Sequence, residues 1–164
     1  LDENEHMKAH HYEIHVEWTG NTGQGTSDYR TYSRNHCIQG LRKPPLEASS
    51  DPAFRGDPTR YNPEELLLAS LSACHMLWYL HLCADAGVVV VSYRDHPTGI
   101  MTEDSRGSGQ FTEVTLKPVV VLQTPEMIET AIRLHHKANE FCFIARSVNF
   151  PVRHEPSCFA KEQG

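Results

Sequence analysis

One long helix signal, Asn62 to Gly87, constrains this chain more than any other feature. Asn62 suits an N-cap, Pro63 the first helical position, and Glu64 and Glu65 the positive end of the helix dipole. Glu65 stands three residues after Asn62, where a capping-box acid belongs, and Gly87 is a C-terminal stop. Between them Leu66, Leu67, Leu68, Ala69, Leu71, Ala73, Met76, Leu77, Trp78, Leu80 and Leu82 cover almost every face. A helix apolar all round is buried all round. In a chain of 164 residues, the length of one domain, such a helix is central, and part of its surface asks for a second subunit. Its most apolar stretch, Leu66 to Leu82, carries Ser70, Ser72, His75 and His81 and reads as too polar for a membrane span.

The flanking segments read mainly as strands. Tyr12, Ile14, Val16 and Trp18 alternate with His11, Glu13, His15 and Glu17, which predicts a half-buried strand over 11–18. A second strand is expected over about 28–38. A long irregular loop follows from Gly40 to Arg60, where Pro44, Pro45, Pro52 and Pro58 fall. Val88 to Tyr93 is a β-branched strand. Gln110 to Gln123 reads as one or two strands, with Pro118 confining that region to an edge or bulge, and Glu103 to Gly109 is a turn. Thr124-Pro125-Glu126 opens a second helix running to about Asn139, with Ile128, Ala131, Ile132 and His135 inward. Val148 to His154 is a last strand, interrupted by Pro151. Strands, buried helix, strands, helix, strand is an α+β order, without the alternation of a doubly wound sheet. The expected organisation is a disordered or non-native N-terminus over 1–9, a single domain over 10–156 and a tail over 157–164.

Hydrophobic residues make up 39% of the chain, a globular composition rather than a disordered one. The formal charge of −6 argues against a nucleic-acid partner bound through a basic face. Leu1 to His6 is acidic and has no apolar core, so no export signal is expected, and Met7 is a candidate native start. A reducing cytoplasm is then the expected location. The five cysteines, Cys37, Cys74, Cys83, Cys142 and Cys158, are odd in number and widely spaced, with no CxxC pair. They do not read as a disulfide scaffold.

Cys74 lies 11 residues after Pro63, about 16 Å along the helix, beyond the reach of the helix dipole. By itself it reads as a small core hydrophobe. A reactive Cys74 needs a cation brought by another part of the chain. Cys142 lies just past the second helix, where a helix C-terminus disfavours a thiolate. It would be the weaker nucleophile of any pair. Of the 11 histidines, His75 and His81 share the helix with Cys74, and His135 and His136 precede Cys142. Cys74, His81, Cys142 and His135 together could hold zinc, but their spacings match no standard zinc pattern. Solvated or hydrogen-bonded histidines are the plainer reading. There is no GxSxG, HExxH, P-loop or dinucleotide fingerprint.

The run Asn62-Pro63-Glu64-Glu65-Leu66-Leu67-Leu68-Ala69-Ser70-Leu71-Ser72-Ala73-Cys74 closely resembles the cysteine signature of the osmotically inducible protein C / organic hydroperoxide resistance (OsmC/Ohr) family. Cys142-Phe143-Ile144-Ala145-Arg146 stands where that family has its second cysteine motif. Phe143 replaces the usual proline there, and His75 replaces a smaller residue after the first cysteine, as in a divergent OsmC-like branch. The resemblance covers about residues 10 to 156. It implies antiparallel sheets around a long buried central helix, in an intertwined homodimer. It further implies a thiol peroxidase acting on organic hydroperoxides, with no bound cofactor or metal and an external dithiol reductant, which in the family can be a lipoyl group. Cys74 would be the peroxidatic cysteine, oxidised to sulfenic acid, and Cys142 the resolving cysteine that closes a disulfide. Glu64 matches the family's active-site glutamate. Arg55, in the loop before the helix, is the candidate active-site arginine, with Arg60, Arg30 and Arg34 as alternatives.

A guanidinium near the thiol would offset the rise in pKa that burial brings, and a carboxylate would orient it. An apolar wall of Leu71, Met76, Leu77, Trp78 and Phe141 would favour alkyl or aryl peroxides. Glu64 and Cys74 lie ten residues apart, about 15 Å along one helix, so a site containing both calls for a second copy of the helix. Two other readings compete: a non-catalytic OsmC-like dimer that binds a small apolar ligand, and a metal-dependent enzyme using the histidines.

Overall fold

The computed structural model describes residues 7–162. The chain divides into two compact units, one up to Glu64 and one from Glu65. The expectation of a disordered or non-native N-terminus falls, for its first six residues, outside the described range.

The first unit is an antiparallel sheet in the order β1 (His15–Trp18), β2 (His36–Gln39), β3 (Leu46–Ala48). Val16 pairs with Ile38 and Cys37 with Glu47. The strand expected over 11–18 is only four residues long, and its apolar face is not buried within the chain. Tyr12 is 91% exposed and Val16 58% exposed. The strand expected over 28–38 begins only at His36, because side chains capture the backbone before it. The Asp28 carboxylate accepts from the Arg30 amide at 2.9 Å. The Arg34 guanidinium donates to the carbonyls of Tyr32 and Tyr29, both at 2.6 Å, and stacks on both rings. The 40–60 segment is not wholly irregular, since β3 and a 3-10 turn at Pro52–Phe54 lie in it.

The second unit is built on α1 (Pro63–Asp85), close to the predicted limits, and Gly87 ends it at φ 72°. Its inward stripe is Leu71, His75, Tyr79, Leu82 and Cys83. Burial on every side is not found within the chain, since Ala69, Ala73 and Leu77 are exposed. By length and composition α1 is long and apolar enough to cross a membrane, contrary to the polarity argument from its serines and histidines. A core helix of a folded domain can be equally apolar, and one stripe of α1 is buried in this way. Tyr79, Leu82 and Cys83 pack with Val88, Val120, Leu122, Ala131 and Ala138. Leu71 packs with Val114 and Leu116.

Three strand runs make up the β structure of this unit, and each breaks at a proline. β4 (Val90–Arg94) and β5 (Thr98–Glu103) are separated at Pro97, β6 (Gly109–Leu116) and β7 (Val119–Leu122) at Pro118, and β8 (Val152–His154) and β9 (Ser157–Ala160) at Pro156. The result is two three-stranded sheets, β4-β7-β9 and β5-β6-β8. The outer runs differ in direction: β4 and β5 are antiparallel to the central run, β8 and β9 parallel to it. Proline supplies no ladder donor, so the breaks are where the sequence places them. Asp95 secures one break to the helix, accepting from Ser72 Oγ at 2.5 Å and from the Lys117 amide at 2.7 Å. The second helix, α2 (Ile128–Phe141), follows a 3-10 turn at Pro125–Met127 and buries Ala131, His135 and Ala138. Ile132, expected inward, is 40% exposed. Ser157 to Ala160, expected to be tail, is strand β9 paired with β7.

Candidate active site

Cys74 is half-buried near the middle of α1, and Cys142, 1% exposed, follows the last residue of α2. The two side chains are neighbours, near enough for the Cys74 thiol to act on that of Cys142. Both thiols are free, as are those of Cys37, Cys83 and Cys158. Burial pushes the Cys142 thiol up to about 11, and the neighbouring Cys74 sulfur pushes in the same direction. Two backbone donors oppose them, the amides of Ala145 and Ile144. The Ala145 N–H reaches Cys142 Sγ at 3.4 Å. Cys142 therefore sits past the negative end of α2, as read from the sequence, but a turn folds two amides back onto its sulfur, which the sequence did not signal.

The five expected wall residues divide. Leu71 is fully buried against Val114 and Leu116 and sealed from solvent. Met76 lines an open groove of about 510 Å³ with Leu68, Ala69, Ser72, Ala73 and Asp95. Leu77, Trp78 and His81 line a second open hollow of about 270 Å³. Around Trp78, Phe141 lies at 5.2 Å and Phe143 at 5.5 Å between ring centroids. The residue that departs from the usual proline thus joins an aromatic cluster one residue from Cys142.

Glu64 is half-buried in the first turn of α1. Arg55 is exposed, in the left-handed conformation (φ 64°) that closes the Pro52–Phe54 turn, with no ion pair among the described residues. Two of the alternative arginines are engaged elsewhere. Arg60 bridges Glu47 at 2.7 Å and Asp57 at 3.6 Å, and Arg34 is held by the tyrosines of its own turn. Arg30 is exposed.

The histidines form the feature least visible beforehand. His75 of α1 and His135 of α2 are both wholly buried, with Nε2 of the first 3.0 Å from Nδ1 of the second. The hydrogen-bonded reading of these two histidines is the one observed. Burial pushes His75 down to about 4 and His135 down to about 3, so both are neutral at pH 7. Tyr79 stacks on His135 at 3.8 Å. His154 of β8 lies 5.8 Å from His75 between ring centroids, and its Nε2 is 3.2 Å from Nδ1 of His136. His81 instead lies exposed beside Asp85. Cys74, His81, Cys142 and His135 do not form one site. Among the described residues no group of three or more His, Cys, Asp or Glu side chains is placed to hold a metal.

A family model for OsmC-like proteins matches residues 56–157. The chain is 32% identical to an OsmC-like protein of unknown function from Vibrio cholerae. That alignment covers 91% of this chain and 100% of that one, with a TM-score of 0.81. An organic hydroperoxide resistance protein from Elizabethkingia anophelis shares the fold at 18% identity and TM-score 0.64, over 94% of this chain and 100% of that one. Another from Legionella pneumophila does so at 17% and 0.62, over 92% and 98%. No curated protein sequence matches the chain.

Proposed function

The chain belongs to the OsmC-like family, and from that membership we propose that it is a thiol-dependent peroxidase for organic hydroperoxides. The observation that carries the reading is that Cys74 and Cys142 are neighbours. Cys74, the more exposed of the two, attacks the O–O bond as thiolate. One oxygen becomes its sulfenic acid, and the other leaves as the alcohol after taking a proton. Cys142 then attacks the sulfenic sulfur, releasing water and forming the disulfide. An external dithiol, of lipoyl type, returns both thiols. Arg55 is assigned the task of keeping Cys74 ionised, and Glu64 that of orienting the guanidinium. Leu77, Trp78 and Phe141, with Phe143 added, are the apolar surface for the alkyl or aryl group.

The reading extends to a cytoplasmic homodimer. Tyr12, Ile14 and Val16 leave an apolar row exposed, and Leu77 of α1 is 63% exposed.

Consumption of cumene hydroperoxide in the presence of a dithiol, compared between the intact protein and Cys74→Ser, tests the proposal. The expected result is turnover by the first and none by the second. Cys142→Ser should accept one equivalent and stop as Cys74 sulfenic acid, visible as one added oxygen by mass spectrometry. An unmodified Cys74 would sink the peroxidase and leave the non-catalytic ligand-binding dimer.

A further inference from the structure

Four histidines of the second unit, His75, His135, His136 and His154, are not used by the cysteine chemistry, and their arrangement is not that of a random surface cluster. His154 of β8 stands between two environments: His136 on the exposed face of α2, and the buried pair His75 and His135. His136 Nδ1 and His154 Nε2 approach to 3.2 Å. An ion bound to both nitrogens at about 2.0–2.1 Å, the usual zinc–imidazole distance, would subtend roughly 100°, close to a tetrahedral angle. The two rings come from a helix and a strand of the same unit, so neither must be recruited from a loop. His136 is exposed, which leaves the remaining coordination positions to water or an added ligand.

A second observation is independent of that spacing. His75 Nδ1 and His135 Nε2 are buried with no hydrogen-bond partner. Buried polar atoms without partners are rare and ask for an explanation. A histidine that binds metal through Nε2 carries its proton on Nδ1, and that N–H normally donates to a neighbouring acceptor. The His75–His135 hydrogen bond spans 3.0 Å with centroids 5.3 Å apart. His75 and His154 have centroids 5.8 Å apart. The unpartnered Nδ1 of His75 thus belongs to a ring that neighbours His154, and it is an acceptor of the kind a metal-bound ring requires.

We propose that His136 and His154 are a two-imidazole binding site for a divalent transition-metal ion of the zinc class, with the buried His75–His135 pair orienting His154 from behind. Imidazole nitrogen suits zinc, copper and nickel, whereas calcium and magnesium prefer oxygen. The site does not depend on the peroxidase reading and uses neither Cys74 nor Cys142.

Calorimetric titration of the untagged, reduced protein with Zn²⁺ tests it, in a background carrying His10→Ala and His11→Ala to remove exposed competing imidazoles. One ion per chain is expected. His136→Ala, a change on an exposed helix face, should weaken binding by at least about tenfold, as should His154→Gln. Mg²⁺ should give no heat. His75→Phe keeps a ring in the core and removes the acceptor, so it should weaken binding by about tenfold through orientation alone. Zn²⁺ binding that is equal in the parent and in His136→Ala would overturn the proposal, as would no binding at millimolar Zn²⁺. Circular dichroism of each variant separates loss of the site from loss of the fold.

Discussion

The backbone amide of Ala145 donates to the sulfur of Cys142 across 3.4 Å. With the Ile144 amide acting in the same sense, Cys142 has two fixed dipoles ready to receive negative charge. In a Cys74–Cys142 disulfide, those amides partly offset the burial that raises the Cys142 thiol. Thiol–disulfide exchange depends on access to the attacked sulfur, and Cys74 is the more exposed of the two. The reductant should therefore attack Cys74 and release Cys142 as thiolate. Oxidised protein treated briefly with a monothiol, acid-quenched and mapped by mass spectrometry, should carry the mixed disulfide on Cys74. A mixed disulfide on Cys142 would reverse the assignment.

The same sulfur sets the pH dependence of disulfide closure. Burial holds the reduced Cys142 thiol up to about 11, and only the thiolate attacks. Each pH unit below that value reduces the attacking fraction about tenfold. Closure after a single equivalent of peroxide should accelerate as pH rises from 7 to 9. Quenched-flow trapping of sulfenic acid at several pH values measures that step. A closure rate independent of pH would mean that Cys142 ionises well below its buried value.

The sequence was most legible where local chemistry is strong. Asn62-Pro63-Glu64-Glu65 and Gly87 mark both ends of α1, and Pro118 marks the break between β6 and β7. The strand β5 was not legible, because all six of its residues are exposed and carry no alternation. Nor was β9, which is held as an edge strand by pairing with β7 rather than by an apolar run. His75 and His135 are 60 positions apart, so their bond belongs to the packing of α1 on α2. The pairing of Cys74 with Cys142 came from the family resemblance. Spacing along the chain does not bring them together; the fold does.

Asp95 is expected to matter for stability more than its half-exposed position suggests. One carboxylate oxygen holds Ser72 of α1 and the other holds the Lys117 amide at the β6–β7 break. Asp95→Ala leaves both donors without their acceptor, at a cost of about 1–3 kcal/mol for the stranded amide alone. Asp95→Asn keeps one carbonyl acceptor and should lose less. Urea unfolding midpoints of the three proteins rank them. Equal midpoints for the alanine variant and the parent would show that water replaces the carboxylate without loss.

The last prediction concerns assembly. Tyr12, Ile14 and Val16 follow one another at the strand period with 91%, 59% and 58% of their surfaces exposed. Exposed apolar groups in a row are characteristic of an interaction surface rather than of solvent-facing strand. Ala69, Ala73 and Leu77 of α1 are exposed at successive helical turns, so the helix also offers an apolar stripe. A second copy of the chain is the expected occupant of both surfaces, and the roughly 15 Å between Glu64 and Cys74 along one helix asks for the same partner. The protein should sediment as one species near twice its 18.6 kDa chain mass at micromolar concentration, with an interface above about 2,000 Å² in total. Ile14→Lys with Val16→Lys places two charges in that interface and should shift the species toward monomer, with peroxide turnover falling in parallel. A parent protein that sediments as a monomer while turning over peroxide would show that each chain completes its own site, and Glu64 would then serve only the start of its helix.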